Sequence, residues 1–324
     1  MRFGILSTAK IARTAVVPAI QATDHTVAAI ASRDPERAES VAADLDVPAA
    51  YGSYEALLAA DIDAVYNPLP NGLHGEWTTR AADAGLDVLC EKPLTADAAE
   101  AEVVAAHCRE RDVTLMEAFM YRYHPRTERA AELVQRELED VHSVEATFNF
   151  RLDGRPDDVR LDPDLAGGSL MDVGCYAVSA ARLFLGEPDR VYATRHDSRG
   201  AGVDTRLTGV LAYDDGSTAT VSGSFDTPEV QRYRVEGANG WVEARPAFNV
   251  PADEPAALTY ATDGQRTTER FDPADQYRLQ IDAFADAVTR GVEPRTGPAE
   301  AVANMRVIDA LYESAESGTP VEPS

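Results

Sequence analysis

Two rhythms of apolar and polar positions run along this chain, and the change from one to the other falls near residue 120. Before it, short continuous apolar runs alternate with stretches of helical period. Phe3 to Leu6, Val27 to Ser32, Ala64 to Asn67, Val88 to Cys90 and Thr114 to Ala118 read as buried strands. Ile11 to Ala22, Pro35 to Leu45, Tyr54 to Ala60, Gly75 to Ala84 and Ala96 to Arg111 read as helices. Strands that alternate with helices predict a doubly wound parallel sheet, because parallel neighbours need a crossover connection and a helix supplies it.

Beyond residue 120 the pattern changes. A helix over Pro125 to Glu137 leads to Val141 to Arg151, which alternates like a strand with one wet face. A polar, proline-bearing stretch from Asp153 to Asp164 reads as a loop, and Ser169 to Leu185 as a helix. Four more strand-like runs, Val191 to Arg195, Thr208 to Tyr213, Thr218 to Ser224 and Tyr233 to Glu236, are punctuated by turn signals such as Asp215-Gly216 and Asn239-Gly240. Helices at Ala274 to Arg290 and Ala299 to Ser317 follow. The expected architecture is α/β: an N-terminal domain over 1–120 with a doubly wound parallel sheet, then an α+β domain over 121–324 with a large, open, mostly antiparallel sheet. A chain of 324 residues is longer than one ordinary core supports, which agrees with two domains.

Charge narrows the partners. Lys plus Arg number 30 against 55 Asp plus Glu, a formal charge of −25, which would repel nucleic acid and anionic membrane. The acids are scattered rather than blocked into a tail. With few lysines and many alanines, the composition suits concentrated salt, where the Debye length falls to ~3 Å at 1 M and self-repulsion is screened. Cys90, Cys108 and Cys175 have no paired spacing and predict reduced core residues. His74 and His124 lack metal-ligand spacing with any other His or Cys, so no metal is expected. Met1-Arg2-Phe3-Gly4-Ile5-Leu6 runs into a strand without a leader pattern, and no apolar stretch reaches a membrane span. The expectation is a soluble cytoplasmic protein.

The turn after the first strand reads Ser7-Thr8-Ala9-Lys10-Ile11-Ala12. It stands where a dinucleotide fingerprint would read G-x-G-x-x-G/A, with Ser7 and Ala9 in place of two glycines. It still opens a helix whose N-terminal amides can hold a phosphate. The second strand ends in Ser32-Arg33, with Arg37 one helical turn on. An NAD site would place an acid there for the ribose 2′-hydroxyl. A hydroxyl and two guanidiniums suit a 2′-phosphate instead, and Asp34, before Pro35, is an expected helix cap. NADP is therefore favoured over NAD.

Only two of the basic residues are lysines, Lys10 and Lys92. Where chemistry needs a compact ammonium with rotatable donors, arginine cannot substitute, which makes Lys92 in Glu91-Lys92-Pro93 a catalytic candidate. Asp172 and Tyr176, four apart at the start of a predicted helix, share one face. A nearby ammonium would lower the tyrosine's pKa from its usual ~10 and make it a usable base.

Four segments carry a resemblance. They are Asn67-Pro68-Leu69-Pro70-Asn71 with His74, Glu91-Lys92-Pro93, Met116 through Pro125, and Gly167-Gly168-Ser169-Leu170-Met171-Asp172-Val173-Gly174-Cys175-Tyr176. In this order and spacing they resemble the signatures of the glucose-fructose oxidoreductase / inositol dehydrogenase / MocA family, over nearly the whole chain. Within it the chain resembles the branch of sugar 1-dehydrogenases and dihydrodiol dehydrogenases, notably NADP-dependent D-xylose dehydrogenases of salt-loving archaea.

The resemblance implies a Rossmann domain, a C-terminal sheet used for homodimer or homotetramer contacts, and a catalytic set of Lys92, Asp172 and Tyr176. It implies that Pro68, Leu69, Asn71, His74, Glu91, Lys92 and Arg122 border the cofactor, together with Ser7 through Ile11, Ser32, Arg33 and Arg37. In oxidation of an aldose, Tyr176 would take the anomeric proton while Lys92 polarises the oxygen and Asp172 orients substrate or lysine. His124 would be the fallback base. The alternatives are a dihydrodiol dehydrogenase, a sugar carbonyl reductase, or a non-catalytic NADP-binding regulator, which would have no need of an acid/base tyrosine.

Overall fold

Six strands form the first sheet of the computed structural model, which describes residues 1–154 and 158–324. They are β1 (Arg2–Ile5), β2 (Thr26–Ala31), β3 (Ala50–Tyr51), β4 (Ala64–Asn67), β5 (Asp87–Cys90) and β6 (Leu115–Glu117). All pair in parallel, in the order β3-β2-β1-β4-β5-β6. Apart from the two-residue β3, their central residues are buried on both faces, as in Ala64-Val65-Tyr66-Asn67 of β4, which is why they read as continuous apolar runs. This is the doubly wound order, whose switch point lies between β1 and β4.

The sheet belongs to a compact unit made of Met1–Met120 with Tyr277–Val302. Residues 277–302 were expected in the second domain. They join the first because Phe284 packs on Phe3, ring centroids 6.0 Å apart, and because Thr296 is tied to β6. The Glu117 N–H donates to the Thr296 carbonyl at 2.8 Å, and the Thr296 hydroxyl donates to the Glu117 carbonyl at 2.6 Å.

The second unit comprises Tyr121–Gln276 and Ala303–Ser324. Its strands are β7 (Ser143–Arg151), β8 (Arg190–His196), β9 (Arg206–Ala212), β10 (Thr218–Ser224), β11 (Asp226–Gly237), β12 (Gly240–Ala244), β13 (Ala256–Thr262) and β14 (Gln265–Phe271). They form one sheet in the order β14-β13-β12-β11-β7-β10-β9-β8, antiparallel except for β7 with β10. Strands β8 and β9 alternate buried and exposed positions along most of their length, the pattern of a sheet covered on one side.

Part of the stretch expected as a loop, residues 155–157, lies outside the described residues; the remainder contains short 3₁₀ turns at Val159–Leu161 and Pro163–Leu165. Leu161 joins Leu152, Val173, Val203 and Phe225 in a small apolar cluster that anchors this stretch. Among the described residues no helix is long and apolar enough to cross a membrane, and no three His, Cys, Asp or Glu side chains are grouped to hold a metal. All three cysteines are free and buried.

Candidate active site

Strand register decides what converges in the first unit. Ile5 pairs with Ile30 and with Tyr66, and Tyr66 with Leu89, so the carboxyl ends of β2, β1, β4 and β5 lie along one edge. The segments that follow are Ser32-Arg33, Ser7 to Ile11, Pro68 to Asn71 and Glu91-Lys92, which places most of the expected cofactor residues on the edge where doubly wound sheets bind ligands.

Each segment is fixed locally. Ser7 Oγ accepts the Ala9 N–H at 3.0 Å, so a side chain closes the turn that glycine would otherwise shape. The helix after it opens with a π-helical turn at Ala12–Val16 before Val17–Gln21. Lys10 is exposed, whereas Thr8 and Ser32 are buried. At the end of β2 the Ser32 Oγ accepts the Asp34 N–H at 3.1 Å. Asp34 in turn caps the helix Pro35–Asp44 by accepting the Arg37 N–H at 3.2 Å.

That cap answers whether a 2′-phosphate fits. The one carboxylate at the strand end is engaged with backbone. Arg33 and Arg37 both lie close enough to the Tyr54 phenol for their charges to pull its pKa down, against the stronger upward push of burial. Two guanidiniums are thus gathered at the strand end, a set that fits a phosphate dianion.

His74 staples the next two segments. Its Nδ1 lies 2.8 Å from the Pro93 carbonyl and its Nε2 2.7 Å from the Leu69 carbonyl. Burial pushes its pKa down to about 4, helped by the Lys92 charge and opposed by the two carbonyls. Only an imidazolium could donate to both, so the two short contacts favour the protonated ring that burial opposes. Asn67 Nδ2 donates to the His74 carbonyl and to Thr78 Oγ1, each at 3.2 Å. Tyr66 donates to Glu91 Oε1 at 2.7 Å, and Glu91 Oε2 accepts the Lys92 N–H at 3.3 Å. The backbone on either side of Lys92 is therefore held through Glu91 and through Pro93.

The second unit carries Asp172 and Tyr176. The helix expected from Ser169 is in fact a π-helical turn, Leu170–Gly174, followed by the α-helix Cys175–Leu185. Such turns recur at functional sites, and here one contains Asp172 and ends two residues before Tyr176. Asp172 Oδ2 accepts from Arg160 Nε at 2.9 Å, and this carboxylate is the main cause of the raised Arg160 pKa.

The Tyr176 ring is buried among Tyr121, Phe148 and Phe248, at centroid distances of 5.9, 5.4 and 5.5 Å. Arg122, also in this unit, is buried with Nη1 3.4 Å from Ser179 Oγ. His124 caps the helix Pro125–Arg136, its Nδ1 accepting the Arg126 N–H at 3.0 Å, and burial pushes its pKa to about 4.

Sequence reasoning missed the support beneath the glycine turn. Asp204 Oδ2 accepts the Ser169 hydroxyl at 2.6 Å and the Leu170 N–H at 2.9 Å, while its Oδ1 accepts the Tyr312 hydroxyl at 2.7 Å. Gly167-Gly168 signalled a close approach; the partner, 36 residues beyond Gly168, had no signal of its own.

Comparison with known proteins bears on both halves. Residues 1–119 match the family described as "Oxidoreductase family, NAD-binding Rossmann fold", and residues 127–243 match the GFO/IDH/MocA C-terminal domain. The chain is 63% identical over 323 residues, 99% of each protein, to D-xylose 1-dehydrogenase (NADP(+)) 2 of Haloferax volcanii. Among solved structures it resembles an aldose-aldose oxidoreductase from Caulobacter crescentus complexed with glycerol, with a TM-score of 0.91, 30% identity and 99% of each chain covered. It also resembles a 3-ketoreductase from Actinomadura kijaniata in complex with NADP and TDP-benzene, with a TM-score of 0.90, 33% identity and 97% of each chain covered. The strand order, the edge it creates and these matches agree: the chain belongs to the GFO/IDH/MocA family of oxidoreductases.

Proposed function

We propose that this protein is an NADP-dependent D-xylose 1-dehydrogenase that oxidises the C1 hydroxyl of the sugar to the aldonolactone. The observation that carries the reading is the 63% identity, unbroken across 99% of both chains, to an enzyme of that name. The arginine pair at the end of β2 and the engaged Asp34 support NADP as the cofactor. The likeness to a 3-ketoreductase, at 33% identity, leaves carbonyl reduction behind oxidation, since fold alone does not fix a substrate.

Bound NADP supplies the hydride acceptor. Ser32, Arg33 and Arg37 hold the 2′-phosphate. Tyr176 takes the proton of the anomeric hydroxyl, and Lys92 polarises that oxygen and steadies the charge that develops on it. Asp172, paired with Arg160, orients the sugar. The rings of Tyr121, Phe148 and Phe248 pack round the Tyr176 ring and restrict it. The charge of −25 and the haloarchaeal relative support a cytoplasm rich in salt. Tyr192 and Val210, opposite each other on β8 and β9 and 43% and 42% exposed, support self-association through the open face of the second sheet.

The test is a panel of aldoses with NADP and with NAD, followed at the nicotinamide absorbance in low and in multimolar KCl. D-xylose with NADP in high salt should give the highest kcat/KM. A stronger rate with a dihydrodiol, or with a keto sugar and NADPH, would replace this reading.

A further inference from the structure

The first turn of the helix Pro125–Arg136 buries an arginine that nothing neutralises. Arg126 has no exposed surface. Its Nη2 donates to the Ala247 carbonyl at 2.6 Å, but Nε and Nη1 have no partner among the described residues, and none of the described carboxylates pairs with it. Burial pushes its pKa down, yet a guanidinium keeps its proton at any pH where a protein folds. An unpaired buried charge is among the costliest arrangements a fold can hold, so such charges are normally matched.

Beyond the Ala247 carbonyl, three side chains near it have hydrogens to give. His124 Nδ1 is occupied as an acceptor by the Arg126 N–H, so the neutral ring carries its proton on Nε2, which is buried and unpartnered. Thr127 Oγ1 and the Tyr233 hydroxyl are also buried, and among the described residues no group beyond this pair is bonded to either. Tyr233 adjoins Thr127 and lies in the field of Arg126. Burial raises the Tyr233 pKa, so the phenol stays protonated at neutral pH and cannot act as the counter-ion. The positive end of the helix adds to the same sign.

Water would accept some of these hydrogens but leave the charge unmatched. We propose that Arg126, Thr127, Tyr233 and His124 form a buried binding site for a small inorganic anion of halide size. The anion ties the start of the helix to β11 and to the backbone at Ala247. Phe248, next in the chain, packs on Tyr176, so the site braces one wall of the tyrosine cage. The inference stands whether or not Tyr176 is the base.

Thermal melting of the full-length protein in sodium chloride and in sodium gluconate, at equal ionic strength and pH, tests it. The wild type should melt roughly 2 °C or more higher in chloride. That increment should vanish in Arg126→Met and shrink in Tyr233→Phe. Crystals soaked in bromide give a reading independent of any variant, with an anomalous peak expected in contact with the Arg126 guanidinium and the Tyr233 hydroxyl. Equal chloride increments in wild type and Arg126→Met would overturn the site, as would bromide crystals with only water at Arg126. Should Arg126→Met fail to fold, the bromide map decides.

Discussion

The turn Ser7–Ile11 and the turn Gly167–Ser169 both lead into a π-helical turn and then an α-helix, yet only the second depends on glycine. The first follows a central strand whose register with both neighbours already sets where the backbone emerges, and the Ser7 hydroxyl closes it. The second is shaped by what presses into it. A Cβ on Gly167 would stand 2.6 Å from the Arg160 carbonyl oxygen, and one on Gly168, at φ +124°, would stand 2.3 Å from Asp204 Oδ1. Gly223 on β10 admits the same turn, since a Cβ there would meet the Ser169 carbonyl at 2.7 Å. A sheet edge fixes a ligand-binding turn from outside and tolerates side chains within it, whereas a turn braced by a buried carboxylate is specified atom by atom.

The sharpest break of the comparison is chemical. Tyr176→Phe, in the second unit, should cut turnover by roughly 10²- to 10⁴-fold while leaving NADP affinity nearly intact. Lys92→Ala, in the first, should weaken both. Steady-state rates and a fluorescence titration with NADPH separate the two outcomes. Because groups acting as one unit lose less together than the product of their single losses, a fully multiplicative double variant would disconnect Lys92 from Tyr176. Near-normal turnover in Tyr176→Phe would remove it from the reaction.

Next in size is the end of β2. Ser32→Asp combined with Arg33→Ala removes charge-assisted donors and adds a carboxylate, and should weaken NADP by about 10- to 100-fold while improving the relative use of NAD. Competition titrations with both cofactors measure it. An unchanged preference would mean that the 2′-phosphate is held elsewhere.

Glycine itself comes third. Gly168→Ala should cost on the order of 1–3 kcal/mol of stability, read from denaturant melts, because it adds strain and displaces Asp204. Ala9→Gly, which restores a fingerprint glycine to the first turn, should change stability by less than about 1 kcal/mol. Equal costs at the two positions would dissolve the contrast between an edge-fixed and a braced turn.

The same contrast explains what could be read from the sequence. The strands of the first unit are buried on both faces, and their apolar runs announced β1, β2, β4, β5 and β6; β3, two residues long, left no run to see. In the second unit β12, β13 and β14 went unread. Gln265–Phe271 is exposed at five of its seven positions, so no buried face imprints alternation on it. Lys92, Asp172 and Tyr176 were named as candidates because motifs carried them. Arg160 and Asp204 were not, because one ionic or hydrogen-bonded partner far along the chain leaves no period.

Each unit also buries a histidine whose pKa is pushed to about 4, His74 in the first and His124 in the second, and the smallest prediction concerns the second. In the unfolded chain His124 titrates near 6.5. Because its folded pKa is depressed, the stability it contributes is present above pH 6.5 and is lost as pH falls towards 4, where the folded ring also takes a proton. Between pH 6.5 and 5.5 the loss is about 1 kcal/mol. His124→Asn keeps an acceptor at the helix cap but has no proton to take up, so its stability should fall less than the wild type's over that interval. Both should be melted without halide, since a bound anion would favour the imidazolium. Identical pH slopes would mean that His124 is already charged in the folded protein. Its Nδ1 would then no longer be the acceptor that caps the helix.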